Sequence, residues 1–487
     1  MTVPKSLSTL AATARGARLV GTDVPIVDLA YDSRAVKPGT LYFCVPGAHT
    51  DGHDFAAGAV DAGAVALVVE RVLDVAVPQL VVESVRSAMP PIACSFFEDP
   101  SRAMSVVGIT GTNGKTTTAF MLEGFFRAAS MNSGVIGTVE THIGDRVLKA
   151  ARTTPEAIDL QRLLAQMRAD GVRGVAMEAS SEGLAFERVE GTWFDCGIFT
   201  NLTQDHLNTH GSMDAYFEAK MLMFRPSMCA RAVINVDDSY GRALLARSAI
   251  PAITFGVETG DADACVSSIN MTAAGSTVVA SIMGERVEFF VPLPGRYNVA
   301  NALGVVTAAH ALGLELGLVA EAMAGVRVPG RVEKIDVGQD FTVIVDYAHT
   351  PDSLEGVLRA AREFTPEGAR LTVVFGCGGD RDRLKRPLMG AIGASLSDRA
   401  IITSDNPRSE DPSTIIEMIA EGARSTGMPF ETVVDRRDAI AAAIAGANAG
   451  DVIVIAGKGH ESGQQFADRT IEFDDRQVAR QVLEAAR

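Results

Sequence analysis

The stretch Val106–Thr118, VVGITGTNGKTTT, constrains this chain more than any other. Val106 and Val107 close a short apolar run that predicts a buried strand. Glycines at 108, 111 and 114 predict a tight loop, and the segment AFMLEGFF after Lys115 and Thr116 has helical spacing. Strand, glycine loop and helix bring free backbone N–H groups and the positive end of a helix dipole to one point, which favours phosphate. There Lys115 reaches the outer phosphates and the Thr116 hydroxyl a magnesium ion. The spacing departs from the common GxxxxGK[ST] loop, which needs glycine where this chain has Ile109.

Length and composition set the frame. At 487 residues the chain exceeds one ordinary core, and such a length predicts about three domains. An apolar share of 47% with only 6% aromatics fits an α/β protein. The formal charge of −16 disfavours a nucleic-acid role, because phosphate backbones select basic surfaces. An acidic small molecule can still bind where a few arginines and lysines gather in a cleft. The 6 cysteines are scattered without a CxxC pair, so neither a zinc site nor a disulfide framework is indicated. The first residues lack a signal-peptide core and no long apolar run appears, which predicts a cytoplasmic protein without membrane insertion.

Along residues 1–103, LYFCV (41–45), VALVVE (65–70) and QLVVES (79–84) predict short buried strands beside the polar loops Tyr31–Arg34 and Gly47–Gly52. Past the glycine loop, GVAMEASS (174–181) predicts a second buried strand delivering Glu178 at its carboxyl end, where open α/β sheets bind ligands. GIFTNLTQDHLNTHGS (197–212) repeats the pattern with Asp205, His206 and His210. The two histidines have the i, i+4 spacing of a helical metal pair, but Asn208 and Gly211 suit a helix poorly, so zinc is disfavoured. Lys220 lies among apolar neighbours in SMDAYFEAKMLMF, a setting usual for a snorkelling surface lysine. Residues 260–295 alternate as an antiparallel meander does, and RYNVANALGVVTAAHALGL predicts a long helix opening with Asn298 and Asn301. From about residue 331, apolar strands alternate with polar loops and helical runs, the pattern of a doubly wound sheet. Its loops gather Asp346, His349, Arg381, Arg383, Lys385, Arg386, Asp405, Arg408, Lys458, His460 and Glu461, which predicts a functional cleft.

The motifs TGTNGKTT, MEASS, TNLTQDHL, Lys220, YNVANALG, VPGRVE, DYAHTPD, FGCGGDRDRLKRPLM, SDNPRSEDP and AGKGHE stand in the order and spacing of the Mur ligases. Over nearly its whole length the chain resembles that family, and in particular the branch that adds meso-diaminopimelate. The resemblance implies an α/β chain of three domains: 1–103 for a uridine nucleotide, 104–330 a P-loop ATPase domain, and 331–487 a Rossmann-like domain for the amino acid. The implied reaction joins an amine to the D-glutamate γ-carboxylate of a UDP-N-acetylmuramoyl-dipeptide, with ATP becoming ADP and phosphate. It further implies a cytoplasmic monomer.

By the same resemblance Gly111, Thr112, Asn113, Gly114, Lys115, Thr116 and Thr117 grip ATP, with Asn301, Arg331 and Asp346 on its adenine, phosphate and ribose parts. Thr116 and Glu178 hold one Mg2+ and His206 a second, while Lys220 carries a carbamate made from carbon dioxide. Lys115, Glu178, His206 and Lys220 are thus the implied catalytic set. Tyr31, Ser33, Ala48, His49 and Thr50 in the first domain, and Arg152, Thr153, Thr154, Ser180, Phe186 and Arg188 in the second, match nucleotide-substrate contacts. Arg381, Asp405, Asn406, Pro407, Arg408, Gly457 and Glu461 match amino-acid contacts, with Arg408 bidentate to the distal carboxylate of diaminopimelate and Glu461 on its distal ammonium. Lysine lacks that carboxylate and has no use for Arg408.

The chain departs from the family pattern at Glu182, where histidine is familiar, at Phe186, where a polar residue is common, and at Asn208, where aspartate is common. Folylpolyglutamate synthetases share the ATPase design but begin with it, whereas about 100 residues precede the loop here. A non-catalytic nucleotide-binding scaffold has no need of Lys115, Glu178, His206, Lys220 and Asp346 together.

Overall fold

A computed structural model describes residues 3–47, 50–205 and 207–486, apart from the side chain of Asn208. Three sheets follow one another along the chain. The first has five strands in the order Arg18–Val20, Gln79–Val81, Ala64–Val69, Thr40–Phe43 and Asp28–Ala30. The second has eleven, and Ser105–Thr110 lies near its middle between Gly174–Glu178 and Cys196–Phe199, parallel to both. The third has six, in the order Glu333–Ile335, Thr342–Asp346, Val452–Ala456, Leu371–Phe375, Arg399–Ile402 and Phe430–Thr432. Only its first pair is antiparallel, so it is a doubly wound sheet with helices on both faces.

The strand residues explain this division. Ser105–Thr110 and Gly174–Glu178 are buried along almost their whole length, since helices cover both faces of a parallel sheet, and such strands read as unbroken apolar runs. Ala264–Thr272, Gly275–Ile282 and Glu285–Val291 instead form an antiparallel meander with one wet face. In Glu285–Val291, Val287, Phe289 and Val291 point to the core while their neighbours do not. Helix Arg296–Ala311 is buried nearly all round against helix Lys115–Ala128 and the meander, which makes it the central rod of the core.

Catalytic-looking residues collect where the parallel strands end. Glu178 and Asp346 are the last residues of their strands. The strand ends of the second and third sheets face each other, and Asn113 in the glycine loop donates to Asp352 of helix Pro351–Phe364 at 2.7 Å. Among the described residues no helix is long and apolar enough to cross a membrane.

Candidate active site

Strand Ser105–Thr110 runs into Gly111, and Gly114 caps helix Lys115–Ala128. Their φ values are +155° and +87°. A Cβ on Gly111 would lie 1.9 Å from Thr200 Oγ1, and one on Gly114 2.3 Å from Asn301 Oδ1, so no side chain fits at either position. The end of strand Cys196–Phe199 braces the loop. Asn201 Oδ1 accepts the Asn113 N–H at 2.9 Å, the Asn201 carbonyl accepts Thr112 N–H at 2.9 Å, and Thr200 Oγ1 donates to the Asn113 carbonyl at 2.7 Å. Lys115 Nζ donates to the Gly111 and Thr112 carbonyls at 2.9 and 2.8 Å. Burial lowers its pKa, against the pull of Glu178 and Asp205.

Thr116, Glu178 and Lys220 line the same cavity as the loop, about 310 Å³ in volume. Glu178 is 1% exposed and held by Thr138, whose N–H and hydroxyl each donate to one carboxylate oxygen at 2.9 Å. Lys220 does not snorkel. It is 1% exposed, and its Nζ donates at 2.8 Å to the Gly111 carbonyl that Lys115 also uses. Burial, then the charge of Lys115, pushes its pKa well below the ordinary lysine value. His206 lies outside the described residues. His210 hydrogen-bonds Ser181 Oγ at 3.0 Å and stacks on Tyr216, so its ring is already engaged. Among the described residues no group of three or more His, Cys, Asp or Glu side chains is arranged to hold a metal ion. The pair Thr116 and Glu178 nevertheless suits Mg2+, which takes few protein oxygens when phosphates complete its shell.

A second cavity, about 150 Å³, is lined by Gly114, Thr117, Asn301, Arg331 and Asp346. Asp346 accepts the Val332 and Ala348 N–H groups at 2.7 and 2.8 Å, and burial raises its pKa. Arg331 lies 4.3 Å over the Tyr347 ring with its buried Nε unpartnered. Residues of the second and third domains therefore line one cavity.

Arg152, Thr153, Thr154, Ser180 and Arg188 line the 310 Å³ cavity at its other end. Phe186, 41% exposed, lies between the guanidinium groups of Arg86 and Arg188 at 5.6 and 5.5 Å, so its ring serves the arginines rather than offering a polar contact. Tyr31, Ser33 and Thr50 lie outside this cavity. The Tyr31 hydroxyl donates to Asp159 at 2.6 Å, Ser33 opens a short 3-10 turn, and the Thr50 carbonyl accepts Gly47 N–H at 2.8 Å. Ala48 and His49 lie outside the described residues.

Arg381, Asp405, Asn406, Arg408, Gly457 and Glu461 surround a cavity of about 320 Å³. Pro407 stands behind it, its carbonyl against Gly379. Arg408 takes a left-handed φ of +51°, held by its N–H to the Gln465 carbonyl at 3.0 Å and its Nη1 to the Gly379 carbonyl at 2.7 Å. This cavity and the phosphate cavity meet: Glu182, Asp205, Tyr347 and His349 line both. His349 Nδ1 lies 2.8 Å from the Tyr347 carbonyl, which only accepts, so Nδ1 carries the proton and Nε2 the lone pair. Burial, with Lys385 nearby, pushes the His349 pKa down to about 4.

Family models for the Mur ligase middle domain, the Mur ligase glutamate ligase domain and the Mur ligase family catalytic domain match residues 109–309, 330–459 and 25–94. The UDP-N-acetylmuramoyl-L-alanyl-D-glutamate--2,6-diaminopimelate ligase of Geobacillus thermodenitrificans is 46% identical over 96% of both chains. The chain belongs to the Mur ligase family. The protein of the same name from Streptomyces coelicolor is 45% identical over 94% of this chain and 92% of its own. A solved structure of a UDP-N-acetylmuramoyl-L-alanyl-D-glutamate--2,6-diaminopimelate ligase, 30% identical, superposes with a TM-score of 0.71 over 100% of this chain and 99% of that one.

In this Mur ligase Glu156 and Thr138 carry no motif signal of their own. Glu156 is a buried carboxylate that meets Arg188, Arg152 and Arg86 at 2.9, 3.3 and 3.4 Å. Thr138 orients Glu178. Of the motif lysines, Lys385 donates to the His349 carbonyl at 2.8 Å, and Lys458 is fully buried.

Proposed function

We propose that this Mur ligase adds meso-diaminopimelate to the D-glutamate γ-carboxylate of UDP-N-acetylmuramoyl-L-alanyl-D-glutamate, as a cytoplasmic monomer in peptidoglycan precursor synthesis. The observation that carries the reading is the shared wall of two cavities, one with a phosphate loop and one with paired acidic and basic groups. A carboxylate is a poor electrophile, so it must be activated before an amine can attack. A γ-carboxylate oxygen attacks the γ-phosphorus of ATP, the bond to the β-phosphate oxygen breaks, and ADP leaves behind an acyl phosphate. The acceptor amine then attacks the acyl carbon, the tetrahedral intermediate expels inorganic phosphate, and the nitrogen loses a proton. Positioning and charge neutralisation do most of this work.

In this reading Gly111–Thr117 and Lys115 hold the phosphates, while Asn301, Arg331 and Asp346 hold the remainder of ATP. Arg152, Thr153, Thr154, Ser180 and Arg188 hold the nucleotide substrate, together with Tyr31, Ser33 and the turn at 48–50 and with Phe186 as an arginine platform. Thr116, Glu178, His206 and Lys220 would hold Mg2+, which offsets charge on the phosphates and the acyl oxygen. The neutral amine that burial favours at Lys220 is the form that combines with carbon dioxide. Its nitrogen bonds the carbon and loses a proton, and the resulting carbamate is an anion in place of a cation. Arg408 takes the distal carboxylate of the acceptor and Glu461 its distal ammonium, with Arg381, Asp405, Asn406, Pro407 and Gly457 completing the pocket.

Mass spectrometry of the uridine nucleotide after incubation with ATP, Mg2+ and meso-diaminopimelate tests this reading. One added diaminopimelate residue per nucleotide is expected. An unchanged nucleotide mass, or ATP hydrolysis indifferent to the amino acid, would overturn it.

A further inference from the structure

Lys458 is 0% exposed, yet it lies directly behind the residues proposed to take the distal end of the acceptor. Its Nζ donates to Gly463 O at 2.7 Å, Asn406 Oδ1 at 3.1 Å and Glu461 Oε2 at 3.2 Å, and lies 3.7 Å from Asp405 Oδ1. Asn406 Nδ2 donates to the same Glu461 oxygen at 2.7 Å, and Gln465 N–H fixes the amide by donating to Asn406 Oδ1 at 3.0 Å. One carboxylate oxygen of Glu461 is thus committed to the protein, and the other is left to a ligand. Asp405 Oδ1 is buried with no hydrogen-bond partner, close to Lys458 but not bonded to it.

Nearest to Lys458, then, Asp405 and Glu461 stand against Lys458 and Arg408, two charges of each sign, while farther round the lining Arg381 and Lys385 face Asp382, Asp205 and Glu182. Part-buried charges paired in this way suit a ligand end that is itself balanced, one ammonium with one carboxylate. It opposes an end that brings an ammonium alone, because that leaves an uncompensated cation beside a buried one. We propose that Lys458 is a specificity-determining residue: its buried charge offsets one of the two carboxylates beside it and so selects a zwitterionic distal group over a simple amine. This rests on the acceptor reading above. Lys458 acts through Glu461 and Asn406 and is a positioning residue, not a catalytic one.

The test is acceptor kinetics on the full-length enzyme with meso-diaminopimelate, with L-lysine as substrate and as inhibitor of diaminopimelate addition, and with nucleotide affinity as a check of folding. Wild type must first turn over diaminopimelate in preference to lysine; failure here overturns the acceptor reading itself. In Lys458→Met the diaminopimelate KM should rise and lysine should bind more tightly, so that the ratio of the two specificities falls about tenfold or more. Lys458→Arg should retain much of the wild-type ratio. Glu461→Gln should move the ratio the opposite way, against lysine, and the double variant should return towards wild type. A structural staple would lower both acceptors in proportion and leave the ratio unchanged, which would overturn the proposal. Should Lys458→Met fail to fold, Glu461→Gln carries the test alone, and a ratio that moves towards lysine would refute it.

Discussion

The phosphate cleft and the amino-acid pocket each bury a lysine, in opposite company. Lys220 has a backbone carbonyl at 2.8 Å, and burial first, then the charge of Lys115, drives its pKa well down against the weaker pull of Asp205. Lys458 faces Glu461 at 3.2 Å and Asp405 at 3.7 Å and spends its remaining donors on Asn406 and Gly463. Burial alone does not decide what a lysine does; the sign of its neighbours does. The first setting favours a neutral amine ready to react with an electrophile, and the second uses an ammonium as a fixed counter-charge.

The largest effect separating these two roles is expected at Lys220. Lys220→Gln should lower kcat roughly a hundred- to a thousand-fold while leaving nucleotide binding nearly intact, as read by steady-state turnover and ATP titration. Activity should also fall in carbon-dioxide-free buffer and return with bicarbonate. Turnover within a few-fold of wild type would remove Lys220 from the reacting groups. In the other pocket, Arg408→Ala should cost about ten- to a hundred-fold in kcat/KM for diaminopimelate, the loss of a charge-assisted pair, with the KM for ATP unchanged. Equal losses for both ligands would refute its assigned partner. A smaller effect, about tenfold in kcat, is expected for Thr138→Val, which removes one of two bonds orienting Glu178. Magnesium titration of that variant should show weaker dependence on the metal, and unchanged titration would separate Thr138 from the site.

The mildest effect is on acid stability. His349 and His460, around Tyr347 between the cavities, have pKa values pushed down to about 4, chiefly by burial and then by Lys385 and Arg331 respectively. Both stay neutral in the fold while the unfolded chain protonates near the ordinary 6.5. The unfolded state therefore binds more protons between these values, and stability should fall as pH drops from about 6.5 to 4. Replacing both by Gln should flatten that slope in chemical denaturation series; an unaltered slope would assign it to other groups.

Much of this arrangement is legible in the residues. The run Val106–Thr118 specifies its strand, loop and helix, and alternation in 260–295 specifies the meander, because a sheet with one wet face must alternate. The strand-end residues Glu178 and Asp346 follow from the same logic. What stays hidden depends on contacts distant in sequence. Lys220 has the local setting of a surface lysine, and only its packing against Gly111, 109 positions away, buries it. Lys458 meets Asn406 across 52 positions and Glu156 meets Arg86 across 70, pairings that no local pattern encodes. Helix Val85–Phe97 carries Pro90 and Pro91 in its interior, where proline ordinarily costs a hydrogen bond, and buries Val85, Met89, Ile92 and Phe96 along one face.

Phosphate release from ATP is the measurement to make first, with UDP-N-acetylmuramoyl-L-alanyl-D-glutamate present and with meso-diaminopimelate, L-lysine or no amino acid added in parallel. Steady release that requires both the nucleotide and diaminopimelate, with little from lysine, is the expected result. Release independent of either co-substrate, or a preference for lysine, would contradict a cleft and a pocket built to join those two molecules.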